Sequence, residues 1–338
     1  MALFRKRESG PGRHPIAAFW EWWAAEGHHI DPRRGPSKST DKLSSRVAAI
    51  HSDLAWHFGP GATSEHCLTV SAGGVAELRP VAERWLRAAP PADATWEFRC
   101  SQQSDPEALN NVLEIEGSKV DLASTRFRVE PVPEELRVHV GVYHPAFGDL
   151  PEPVRQQVAY LVLDWLVGED DVERWLGEVE TLTEPPQEAV AGSGVLAAVA
   201  EIAAQRDPQE WAIAEWQDQD GTPGWAMYRR GLRWIDHPTL DRHQIVSVAY
   251  DAQDNGLPAD SAALEGLEQL ESELESLLGD RGILVAHETH GGVRKLHAYT
   301  DGEDQNIDAA VTEWGSRWHV CVEARADPAW SQVRPLTG

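Results

Sequence analysis

The segments IVSVAY (245–250), SAALEGLEQLESELESLL (261–278), ILVAHET (283–289), RKLHAYT (294–300), QNIDAAVTEW (305–314) and WHVCVEA (318–324) read in turn as strand, helix, strand, strand, helix and strand. Apolar residues alternate in the strands and recur every three or four residues in the helices. That order across 243–326 is the split βαβ pattern of a ferredoxin-like domain. In the first helix Leu264, Leu267, Leu270, Leu274, Leu277 and Leu278 form the apolar stripe; Asp260 or Ser261 caps its start and Gly279 ends it. Ahead of the unit, 211–216 and 224–228 flank the turn Asp220-Gly221, the pattern of an added hairpin.

Reading back toward the N-terminus, the chain keeps an α+β texture. A basic arm precedes a helix in which Ile16, Phe19, Trp20 and Trp23 share one face while Trp22 points elsewhere. Such a face docks on its own domain or in the groove of a partner, which makes Trp20, Trp22 and Trp23 candidate partner contacts. A helical stretch at 42–56, a strand at 67–70, a helix through Leu78, Val81, Trp85 and Leu86, short strands at 95–99, 112–116, 126–130 and 136–143, a broad apolar helix at 154–167 and a strand at 178–182 follow. This half reads as a decorated version of the second. Pro185-Pro186 and Gly192-Ser-Gly194 mark the seam. The expected organisation is an N-terminal α+β domain (1–185), a linker with a bridging helix (186–206) and a ferredoxin-like domain (207–338).

Composition narrows the function classes. With 338 residues, 41% apolar and 25% charged, the chain can bury a core in each of two domains. Its net charge is −25, yet residues 1–50 hold nine Lys or Arg against five Asp or Glu, so the acidity lies in the remainder. So acidic a body repels nucleic acid and anionic lipid, and neither is expected as a partner. A basic protein partner fits the charge; so does simple solubility. No apolar run of spanning length and no signal-peptide pattern occurs, and Cys67, Cys100 and Cys321 lack disulfide or metal spacing, so a reducing cytoplasm is the expected address. Tryptophan is abundant, fifteen against eleven Phe plus Tyr, and suits cores and interfaces alike.

Phosphate-loop, nucleophile-elbow, dinucleotide and C-x-x-C spacings are absent. Asp251, Asn255 and Gly256 match part of a calcium loop, but its twelfth position is Ala262 where a carboxylate is required. His287 and His290, three apart in a strand, fall on opposite faces and cannot share an ion as a helical pair would; His139 and His144 fail similarly. No metal or cofactor is expected. Alternation places His297, Tyr299, His319, Cys321 and Glu323 on the sheet face away from the helices, and His297, Tyr299 and Glu323 are the candidate ligand contacts. That face is either a site or is covered by the hairpin. Asp164, within an apolar run, needs a buried partner or an exposed edge. The helix at 261–278 carries Glu265, Glu268 and Glu271 among its acidic residues and no Lys or Arg, which makes these three candidate partner contacts or a solvated face.

Asp254-Asn-Gly-Leu-Pro258, the Leu/Glu-rich helix, Gly282-Ile-Leu-Val-Ala286 and Gly292-Val-Arg-Lys-Leu296 leading into Tyr299 resemble a bacterial family known as domain of unknown function 695 over 207–330. Phe19-Trp-Glu-Trp-Trp23 looks like the region that precedes this domain in related proteins. The resemblance implies a fold and no activity. Relatives can be joined to a domain similar to an acidic ferredoxin-like regulator of a ribonuclease, which implies a regulatory role by analogy. Two functions follow as expectations: a non-enzymatic protein-binding or regulatory module with an acidic surface, or a small-molecule or metal-binding protein, possibly an enzyme, with its site on the open sheet face or in the cleft between domains.

Overall fold

The computed structural model describes residues 14–115, 118–253 and 255–334 and is a mixed α+β structure. Most of the basic arm, 1–13, and Asp254 of the family motif lie outside the described residues. The chain divides into two compact units at Ser101/Gln102, not at the 186–206 segment.

In the first unit, α1 (Pro15–Ala25) and α2 (Lys38–Ile50) precede β1 (Ala55–Pro60), β2 (His66–Ser71), α3 (Arg79–Arg87) and β3 (Trp96–Arg99). β2 lies between β1, its antiparallel neighbour, and β3, its parallel one. The helix expected to run to residue 56 stops at Ile50, and Ala55–Pro60 is a strand. Trp20, Trp22 and Trp23 are all buried, at 9, 7 and 3% exposure. Trp20 stacks on Trp85 at 4.8 Å and donates its indole N–H to the Trp85 carbonyl at 2.9 Å. Trp22, off the main stripe, is covered because α2 lays Arg46 over its ring at 5.9 Å. The three indoles are therefore core, and the expectation that they hold a partner is corrected: removing them from this cluster would cost several kcal/mol, about 3–5 for a Trp.

The second unit opens with the hairpin β4 (Val112–Ile115) and β5 (Ser118–Asp121). β6 (Arg126–Val132), β7 (Arg137–Tyr143), α4 (Glu152–Val167), α5 (Glu169–Trp175) and β8 (Leu176–Leu182) follow. β6 and β7 are antiparallel and β8 joins β7 in parallel, so this sheet repeats the strand order and sense of β1–β3. The first half thus holds two separate three-stranded sheets, one in each unit, besides the β4–β5 hairpin. α6 (Gly192–Ala203), expected as a bridge, buries Val195, Val199 and Ile202 in the core with Phe127 and Leu163.

Asp164 on α4 is half-buried, and among the described residues its side chain has no ion-pair partner. Burial, with Glu169 nearby, pushes its carboxyl up to about 7. A carboxyl raised in the folded state contributes stability below its unfolded value and loses it as pH rises from about 4 to 7. Asp164→Asn should therefore stabilise the protein by about 1–3 kcal/mol at pH 8 and by nothing near pH 4, as urea unfolding at the two pH values will report. Equal effects at both would refute this account.

The rest of the unit is one antiparallel sheet. β9 (Trp211–Gln217), β10 (Pro223–Arg229), β11 (Arg242–Ala249), α7 (Ser261–Leu278), β12 (Gly282–His290), β13 (Val293–Thr300), α8 (Gln305–Trp318) and β14 (Cys321–Ala326) run in the spatial order β14-β11-β13-β12-β10-β9. Asp260 caps α7 by accepting from the Ala263 N–H. α7 and α8 cover one face and bury Val246, Leu274, Leu296, Ile307 and Trp314 there. The hairpin β9–β10 does not fold over the other face; it extends the sheet beside β12. α8 runs four residues beyond the expected Trp314, and His319 is its left-handed cap at φ 53°. The residue expected to display its imidazole on the open face therefore lies outside the strand.

Candidate functional site

The face of the sheet opposite the helices is closed by the chain's own irregular segments. Asp327 accepts from the Tyr299 hydroxyl (2.7 Å), the Ser331 N–H (2.8 Å) and hydroxyl (2.7 Å), and the Gln332 N–H (3.0 Å). This turn lays Trp330 on Tyr299 at 4.6 Å, and the indole donates to the Leu240 carbonyl at 2.7 Å. Burial opposes ionisation of Asp327, but the bonds from Ser331 and Tyr299 hold its carboxyl below the usual range. The same burial, together with Asp327, drives the Tyr299 hydroxyl upward, so it stays protonated and donates.

Beside Tyr299 a histidine pair is buried. His243 stacks on Tyr299 at 4.6 Å, and its Nε2 lies 3.0 Å from His297 Nδ1. His297 Nε2 lies 2.7 Å from the Glu288 carboxylate. A carboxylate only accepts, so His297 carries its proton on Nε2 and accepts at Nδ1 from His243 Nε2–H. That leaves His243 Nδ1 a bare acceptor with no partner among the described residues. Burial first, then the neighbouring His297, depress His243 to about 3, while the bond from His297 holds Glu288 low. Of the three candidate ligand contacts, His297 and Tyr299 meet here. Glu323 does not: it is exposed on the edge strand β14 opposite Ile245. The carboxylates that serve the network are Glu288 and Asp327. Glu288 was legible, because alternation puts it on His297's face. Asp327 lies past the last strand, where period gives no signal.

A cavity of about 440 Å³ has Trp330, the ring stacked on Tyr299, in its lining. β7, α5 and β8 supply one wall, with Arg137, His139 and Glu173; the stretch before β11 supplies Leu232, Arg233 and Trp234; Val285, at an irregularity in the pairing of β12 with β13, and Trp330 complete it. Glu173 is engaged, accepting from Trp234 Nε1 at 2.7 Å and pairing with Arg334 at 3.1 Å. His139 Nδ1 accepts from the Glu178 N–H at 2.9 Å. The cleft lies wholly within the second unit.

The acidic helix splits into two roles. Glu265 and Glu268 are exposed. Glu271 is not: it pairs with Arg294 at 2.8 Å and bonds to His287 at 3.1 Å, its side chain only 16% exposed. Glu273 accepts from Trp318, and Glu275 pairs with Arg229. Glu271 is therefore removed from the candidate docking face. His290 meets Asp218 at 3.1 Å, away from His287. Among the described residues no three His, Cys, Asp or Glu side chains are grouped to hold a metal ion, and no helix is long and apolar enough to cross a membrane. No family model matches the chain, and neither the curated proteins nor the solved structures contain a match to it.

Proposed function

We propose that this is a small-molecule-binding protein, with its site in the cleft between the β7–β8 layer and the six-stranded sheet. The cavity itself carries the reading. Its volume of about 440 Å³ falls in the range of small-ligand sites, roughly 300–1,000 Å³, and it joins an apolar wall to a few polar groups, as such sites do. The histidine network serves as a rigid floor, since His243 and Tyr299 are sealed at 0% exposure and have no path to a reacting group. A metabolite panel screened by thermal unfolding of the full chain tests the idea, because a ligand that binds only the folded state must raise stability. A hit should lose its shift in Trp330→Ala; hits indifferent to Trp330 would move the site elsewhere.

A second reading, a regulatory module for a basic protein, draws on the exposure of Glu265 and Glu268 and on the net charge of −25. The same charge argues against nucleic acid. The strand order β14-β11-β13-β12 with both helices on one face supports assigning the 243–326 unit to the ferredoxin-like fold. Kinship with domain of unknown function 695 rests on the order of the 254–299 motifs alone. A cytoplasmic address draws on three free cysteines, one of them exposed.

A further inference from the structure

In a chain this acidic, the cleft holds two arginines without a carboxylate partner. Arg233 is 6% exposed and donates only to main-chain carbonyls, of Glu135 at 2.8 Å, Arg230 at 3.3 Å and Leu232 at 3.5 Å. Its Nε is buried with no acceptor among the described residues. Arg137 spends Nη1 on the carbonyls of Glu173 and Leu176, and among the described residues no bond engages its other nitrogens. The two guanidinium groups repel each other; burial, then Arg137 and Arg206, bring Arg233 down to about 10. The carboxylates nearby relieve this only in part: Glu173 and Glu135 favour the charge on Arg137, as Asp236 does that on Arg233, but among the described residues none forms an ion pair with either guanidinium. Glu173 is held by Trp234 and Arg334, and Glu135 and Glu178 are exposed at the rim. Buried charge without an ion pair costs stability, so a fold that keeps the buried Arg233 and the half-buried Arg137 against an open cavity has room for one anion.

We propose that the cleft is an anion site that takes the carboxylate or phosphate of a small organic molecule against Arg137 and Arg233, with the molecule's apolar body against Leu232, Trp234 and Trp330. The assignment rests on the ligand-binding reading above and adds the ligand's class. Guanidinium groups suit both anions because their planar forks donate two parallel bonds.

The test is calorimetric titration of the full chain with benzoate, inorganic phosphate and neutral benzamide at matched ionic strength, on the wild type and on Arg137→Gln and Arg137→Lys. Saturable binding of benzoate or phosphate is expected, with benzamide at least about tenfold weaker and Arg137→Gln weakening the anion by about 10- to 100-fold. Lys should recover part of that loss by keeping the charge without the fork. Benzoate binding with phosphate silent assigns the group to a carboxylate on an apolar body; the reverse assigns it to a phosphate. Benzamide binding as tightly as benzoate would overturn the anion assignment and leave the ligand-binding reading standing. Silence of all three probes, with a metabolite panel also inert, would overturn both. The benzoate and benzamide comparison uses the wild type alone, so it decides the matter even if a variant misfolds.

Discussion

Glu271→Ala should destabilise the protein by about 3–5 kcal/mol in urea unfolding, the largest effect expected of any single acidic residue on α7. Arg294 is 7% exposed, and Glu271 is the carboxylate it pairs with, at 2.8 Å. Truncation leaves a buried guanidinium unpaired and takes from His287 its partner at 3.1 Å. The double replacement Glu271→Leu with Arg294→Met should restore most of the loss, because it removes both charges and keeps the volume. A double variant as unstable as the single one would mean that the charge pair is not the cause. Glu265→Lys with Glu268→Lys, by contrast, should change stability by less than about 0.5 kcal/mol, since both side chains are exposed. That pair is the proper probe of the regulatory reading: capture of a basic partner should weaken and become less sensitive to salt. Capture unaffected by the double reversal would remove α7 from that reading.

The second large effect is on acid stability. His243 is buried at 0% exposure and depressed to about 3, so below pH 6.5 the unfolded chain takes up a proton that the folded chain refuses. Stability contributed by the neutral imidazole is complete above pH 6.5 and is lost as pH falls toward about 3, at a slope approaching 1.4 kcal/mol per pH unit for one such group. His237, depressed by burial in the same direction, adds to this arm. Asp327, Glu288 and Glu271 are held low instead, so their contributions are present above pH 4–5 and are lost only as pH falls through their folded values. His243→Phe should therefore flatten the decline between pH 6.5 and 4.5 while leaving the steeper loss below it. At neutral pH the variant will itself be weaker by about 1–3 kcal/mol, because His297 Nδ1 loses its donor, so the slope is the quantity to compare. Identical slopes for the two proteins would show that the His243 proton is not what acid stability turns on.

The network behind these effects bears on how the cleft is built. Asp327 holds the turn that seats Trp330, which stacks on Tyr299 and lines the cavity. A buried, closely packed floor beside a wall of aromatic rings suits binding, because a preorganised pocket spends little of its interaction energy on ordering itself.

Local pattern determined much of this protein. The Leu stripe and its Asp260 and Gly279 ends set α7 at 261–278, and period-two alternation placed His297 and Tyr299 together on one sheet face. Both signals lie within a few residues of chain, and backbone geometry reads them directly. Tertiary structure decided what those faces meet. The indole of Trp22 became core only because α2 packs over it, and Glu271 became an ion-pair partner only because Arg294, on the strand β13 beneath the helix, meets it. The hairpin β9–β10 extended the sheet instead of covering it, since the open edge of β12 offered it a ladder of hydrogen bonds. Arg137 and Arg233, 96 residues apart in sequence, read separately as surface charges. Only folding, which brings both to one cavity and buries Arg233 there, made them a candidate site, because desolvation and mutual repulsion depend on distance in space and on no periodicity of the chain.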